Sequence, residues 1–81
     1  MPTLLNLFGL RFSFYLRDHE PIHVHVTNGD GEAKFELFDE VKMVYNHGLK
    51  QKDIRLAESI IEENKENFIA NWEKAFAPKS M

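Results

Sequence analysis

The sequence predicts an α+β domain, in which a small antiparallel sheet of four to five strands is followed by C-terminal helices packed on one face. Three observations support this prediction. Apolar and polar residues alternate along the first half of the chain, as in half-buried strands. Clusters of glycine, asparagine and aspartate separate these stretches. From about residue 51 apolar residues recur every three to four positions, which indicates an amphipathic helix.

Length and composition limit the classes of protein to consider. The 81 residues form one predicted domain, 1–81, with strands in about 3–46 and helices in about 51–77. A hydrophobic content of 43% supports a core and argues against disorder. The chain has no cysteine, which excludes disulfides and cysteine-ligated zinc. No long apolar run or signal pattern is present, so we expect a cytoplasmic chain that does not enter a membrane. A net charge of −3 argues against sequence-independent phosphate binding as the main activity, although it permits a local RNA site.

The first two strands are expected to form a hairpin. A turn at Gly9-Leu10 would place Leu7 opposite Phe12 and Leu5 opposite Phe14, so that apolar side chains meet on one face. A shift of the register by one residue would move the side chains of one strand to the opposite face. The fact that apolar residues meet at both pairs therefore supports this pairing.

The strongest turn signal is Asn28-Gly29-Asp30-Gly31, because these residues tolerate the positive φ of a tight hairpin. Folding the chain back about this turn predicts the pairs Val26–Ala33, Val24–Phe35, His25–Lys34 and His23–Glu36. The valines then face the helices. The two imidazoles are expected to project outward into solvent, on the same side as Arg11 and Lys34.

The remaining elements are a fifth strand and the helical segment. Val41 to Asn46 is a candidate strand with less regular alternation. A continuous helix over 51–77 would be about 40 Å long, longer than the sheet it covers. We therefore predict two helices that meet near Asn64, which is a residue type that often caps helices.

The histidines of the stretch 19–26 suggest a metal site. His23 and His25 lie two residues apart on a strand, so their rings point the same way. His19 can supply a third nitrogen if its loop folds back, and an oxygen can come from Glu36, or from Asp18 and Glu20. Such a set would suit a divalent transition metal such as zinc.

Two further interpretations use the same face. In the catalytic one, His23 and His25 act as general base and acid while Arg11 and Lys34 stabilise a phosphate-centred anion, which would cleave RNA. In the second, the face binds a protein partner, because it mixes aromatic and polar residues as interfaces do. The candidate binding residues are His19, Tyr15, Glu36 and His47. An ordinary polar face with hydrogen bonds from the imidazoles to Glu36 and Tyr15 is the simplest alternative.

Several blocks of sequence carry a family resemblance. They are 9–15, 19–26 (His-Glu-Pro-Ile-His-Val-His-Val), 31–35, 46–49, 63–66 and 70–72. These blocks resemble a bacterial family, domain of unknown function 4160, over essentially the whole chain.

The resemblance implies a small stand-alone bacterial protein. Relatives of this kind are frequently encoded beside a second small domain of unknown function (number 2442) or a helix-turn-helix protein, an arrangement similar to toxin–antitoxin or regulatory pairs. The leading prediction is therefore a module of this type that acts through a small protein encoded nearby and uses the face of His23 and His25. The alternative is an RNA-cleaving phosphodiesterase or a metal-binding protein. Assembly of the chain into a homo-oligomer is compatible with each of these functions.

Overall fold

A computed structural model describes residues 3–14, 22–37 and 39–76, and the side chains of 4–14, 22–37 and 39–74. The elements are β1 (Thr3–Leu7), β2 (Leu10–Ser13), β3 (His23–Thr27), β4 (Glu32–Glu36), β5 (Lys42–His47) and α1 (Gln51–Phe76). The strands form one sheet in the order β1-β2-β3-β4-β5, and each neighbouring pair is antiparallel. The predicted α+β class is confirmed.

The core lies between α1 and one face of the sheet, which we call the inner face. Strand residues of this face, such as Phe12, Val24 and Phe35, are fully buried. The rings of Phe12 and Phe68 contact each other with centroids 5.9 Å apart. The helix contributes a continuous apolar stripe, whose buried members are Ile54, Ala57, Ile60, Ile61, Phe68 and Trp72. The alternation of the strands and the helical spacing thus bury their apolar sides together, as predicted.

The helical segment is one helix of 26 residues, so the prediction of two helices meeting near Asn64 is wrong. The side-chain amide of Asn64 donates to the carbonyl of Ile60, four residues earlier, at 2.8 Å. This bond lies within the helix and does not cap a new one. At 1.5 Å per residue the helix extends about 39 Å. No helix in the described part of the chain is long and apolar enough to cross a membrane.

The β1–β2 hairpin turns at Phe8-Gly9, one residue earlier than predicted. Phe8 has φ 53° and Gly9 has φ 79°, and two positive φ values are the mark of a type I′ turn. The register therefore pairs Leu7 with Leu10 and Leu5 with Phe12, not Leu7 with Phe12 as predicted. The predicted register is therefore offset by two residues, which leaves Leu5 and Leu7 on their predicted face. A further irregularity between Thr3 and Leu5 shifts the pairing at the start of β1, where Thr3 lies opposite Ser13.

The β3–β4 hairpin has the predicted register at all four predicted pairs. The side-chain oxygen of Asn28 accepts hydrogen bonds from the backbone N–H groups of Asp30 (2.7 Å) and Gly31 (3.2 Å). The Asn28 N–H donates to the Gly31 carbonyl at 3.1 Å. These bonds build the turn that its sequence predicts.

The end of β5 packs closely against this turn. Gly48 has φ 103°, and a Cβ placed on Gly31 would lie 1.9 Å from the carbonyl oxygen of His47. The Asn46 side chain also holds the chain here, since it donates to the Leu49 carbonyl and accepts from the Leu49 N–H, both at 3.0 Å. The block 46–49 therefore joins β5 to the β3–β4 turn and leads into α1.

Candidate functional site

The face of the sheet opposite the core, which we call the outer face, carries two aligned rows of polar side chains. One row runs across Arg11, Thr27, Glu32 and His47, and the other runs across Ser13, His25, Lys34 and Tyr45. Directly opposed residues in neighbouring strands lie on the same face. The topology thus brings Arg11, His25 and Lys34 to one side, as the sequence predicts.

The two predicted histidines are nevertheless buried. The exposed fraction is 3% for His23 and 5% for His25, so the expectation that both rings project into solvent is wrong. Arg11 is exposed, while Lys34 and Glu36 are partly exposed. Alternation along a strand determines which face a side chain occupies, but it does not determine whether that face is covered. Both imidazoles are thus covered in this structure, and a catalytic role for His23 and His25 stays a prediction.

A carboxylate organises the centre of the outer face. The Oε2 atom of Glu32 lies 3.1 Å from Nδ1 of His25, and it accepts a hydrogen bond from the Tyr45 hydroxyl at 2.7 Å. Because an ionised carboxylate only accepts, this contact predicts a proton on Nδ1 of His25. We call His25, Glu32 and Tyr45 the Glu32 network.

Sequence reasoning missed Glu32. Within β4 it considered only the residues directly opposite each histidine, and these are Lys34 for His25 and Glu36 for His23. Glu32 is the diagonal neighbour of His25, two positions along β4 from Lys34. Long side chains reach diagonal neighbours in an antiparallel pair, so a search of diagonal positions would have found this carboxylate.

His23 joins the Glu32 network to the core. Its ring lies 5.0 Å from that of His25 in an edge-to-face arrangement and 5.1 Å from the ring of Trp72. Trp72 also packs edge-to-face on Phe14 at 5.0 Å. Edge-to-face contacts at these distances are favourable for aromatic rings. The position of His23 is thus that of a packed interior ring.

The accessible part of the outer face lies at its margin. His47 is exposed, and its ring packs on that of Tyr45 with centroids 4.7 Å apart. Arg11 is exposed on β2, in the same row as His47. A molecule that approaches this face would therefore meet a guanidinium, an imidazole and the edge of a phenol before it reached the buried histidines.

The predicted metal site is only partly within the described chain. Among residues 3–14, 22–37 and 39–76, no three side chains of His, Cys, Asp or Glu form a group able to hold a metal ion. His19, the proposed third ligand, lies outside the described residues, as do Asp18, Glu20 and Tyr15. Zinc binding by His19, His23 and His25 therefore stays a prediction.

Comparison with known proteins places the chain in a family. No curated protein and no solved structure shows significant similarity to it. The family described as Domain of unknown function (DUF4160) matches residues 9–73, which include every residue of the Glu32 network and Trp72. The chain therefore belongs to the family of domain of unknown function 4160.

Proposed function

We propose that the chain is a small bacterial module of toxin–antitoxin or regulatory type, which acts by binding a protein partner encoded nearby. We further propose that the partner contacts the margin of the outer face. One observation supports this assignment above others: the exposed side chains of Arg11 and His47 lie in one row across the sheet, while His23 and His25 are buried.

The composition of this margin suits a protein interface. Arginine and tyrosine are enriched in interfaces, and a few such residues carry most of the binding energy. The hydrogen bond from Tyr45 to Glu32 and the contact between Tyr45 and His47 hold the rings in place before a partner arrives. Side chains that are already ordered lose less entropy on binding. In this proposal His25 is a structural support and not a contact residue.

The test is a titration of the purified chain with the product of the adjacent gene. Arg11→Ser should weaken the complex by about tenfold or more, because a central interface arginine contributes more than about 1.4 kcal/mol. Arg55→Ser removes the same group from an exposed position on α1 and should change affinity by less than about twofold. Absence of a complex with the wild-type chain, or equal losses in the two variants, would contradict the proposal.

An RNA-cleaving phosphodiesterase is the second candidate. The observation that favours it is the contact of His25 Nδ1 with Glu32, because a carboxylate on one ring nitrogen orients the imidazole as in catalytic histidine–carboxylate pairs. Arg11 and Lys34 lie on the same face and would stabilise a phosphate-centred anion. This candidate requires a motion that exposes His25.

Cleavage assays on single-stranded RNA separate the two candidates. A phosphodiesterase would lose cleavage in His25→Ala, while the Arg55→Ser variant would cleave like the wild-type chain. A wild-type chain that leaves the RNA intact over a wide range of enzyme concentrations would eliminate this candidate.

A further inference from the structure

We infer that the tip of the β1–β2 hairpin is an anchor for the protein partner, and that Phe8 is the side chain that inserts into it. This inference rests on the proposed function and names a contact element that the outer face does not include. Phe8 is the most exposed large apolar residue of the described chain, with an exposed fraction of 72%, and Leu7 beside it is 38% exposed.

The backbone at Phe8 is unfavourable for its side chain. A φ of 53° lies in the left-handed region, which bulky residues rarely adopt. Type I′ turns prefer asparagine at this position, because its short polar side chain tolerates positive φ. Phenylalanine therefore lowers the stability of the turn and exposes an apolar ring. Neither effect benefits the isolated fold, whereas an exposed ring on a rigid turn suits an interface.

The hairpin also differs in charge from the rest of the chain. Arg11 is the only charged residue among residues 1–16, whereas the whole chain has a net charge of −3. The chemistry that fits this element is an apolar pocket for Phe8 with carboxylates at its border that face Arg11. A lipid surface fits less well, because one aromatic ring and one cation give little membrane affinity.

The test is a pair of measurements on Phe8→Asn. We expect this variant to melt about 5 °C above the wild-type chain, because it relieves the backbone at residue 8. We expect its affinity for the product of the adjacent gene to fall by about 30-fold, as for a hot-spot residue. Phe8→Tyr keeps the ring and should bind within about threefold of the wild-type affinity. Met43→Asn replaces another apolar residue, 45% exposed on β5, and should leave affinity unchanged.

The outcomes separate this inference from the proposed function. If the wild-type chain binds the neighbouring protein and Phe8→Asn binds equally well, the anchor is wrong and the proposed function stands. If the wild-type chain does not bind, the proposed function and the anchor fall together. Binding of the wild-type chain, but not of Phe8→Asn, to vesicles containing phosphatidylserine would overturn the protein anchor in favour of a lipid contact. If the wild-type chain forms dimers and Phe8→Asn dissociates them, Phe8 contacts a second copy of this chain and not a different protein.

Discussion

The close contact between Gly31 and the end of β5 leads to the sharpest prediction. A methyl group on Gly31 would lie 1.9 Å from the His47 carbonyl oxygen and 2.9 Å from the Gly48 Cα. Both are backbone atoms, so the β3–β4 turn and β5 must move apart. Overpacking of this kind costs about 1–3 kcal/mol, and the reduced freedom of the unfolded chain offsets about 0.4–1 kcal/mol. Because the approach of 1.9 Å is to a backbone atom, the cost lies at the upper end of this range, and after the offset we expect Gly31→Ala to lower the free energy of unfolding by about 2 kcal/mol.

Thermal unfolding followed by circular dichroism measures this loss. For a domain of this size about 2 kcal/mol corresponds to a fall of about 8–16 °C in melting temperature. Gly29→Ala is the matched control, because it lies in the same turn and a Cβ there has no atom within 4 Å. Its melting temperature should equal or slightly exceed that of the wild-type chain. If both variants melt within about 2 °C of each other, the close packing of the turn on β5 is wrong.

Three further substitutions test the remaining contacts by chemical denaturation. Asn46→Ala removes both hydrogen bonds to the backbone of Leu49 and should cost about 1–2 kcal/mol; a loss below about 0.3 kcal/mol would contradict their role. Asn64→Ala should leave stability unchanged or raise it by up to about 0.5 kcal/mol, because alanine favours the helix interior, whereas a loss of about 1 kcal/mol would indicate a helix cap. Tyr45→Phe keeps the ring on His47 but loses the hydrogen bond to Glu32, so a cost of about 1 kcal/mol is expected. An unchanged stability there would mean that water replaces the hydroxyl without cost.

Much of the fold follows from local patterns. The Asn28-Gly29-Asp30-Gly31 turn and the valines of β3 together specify the β3–β4 register, which the structure confirms at all four predicted pairs. The predicted β1–β2 register is wrong by two residues, because the turn in the structure places Phe8 at positive φ. Type I′ turns disfavour phenylalanine at their first central position. The residue preferences of turns therefore predict a turn at Gly9-Leu10 and not at Phe8-Gly9.

The candidate site was harder to predict for a different physical reason. Strand alternation places His25 and Lys34 on one face, which is correct, but burial depends on what packs over that face. Likewise Glu32 reaches His25 along a diagonal, and the choice between Glu32 and the directly opposed residues depends on side-chain conformation. Asn64 illustrates the same limit in the helix, because an asparagine can cap a helix or bond to the preceding turn.

The most direct test of the Glu32 network is the tautomer of His25. A long-range ¹H–¹⁵N spectrum at neutral pH distinguishes a proton on Nδ1 from one on Nε2. We expect His25 to carry its proton on Nδ1, because Glu32 lies 3.1 Å from that atom and can only accept. We also expect Glu32→Ala to abolish this preference. A wild-type His25 with its proton on Nε2 alone would contradict the network and, with it, the structural role assigned to the buried histidine.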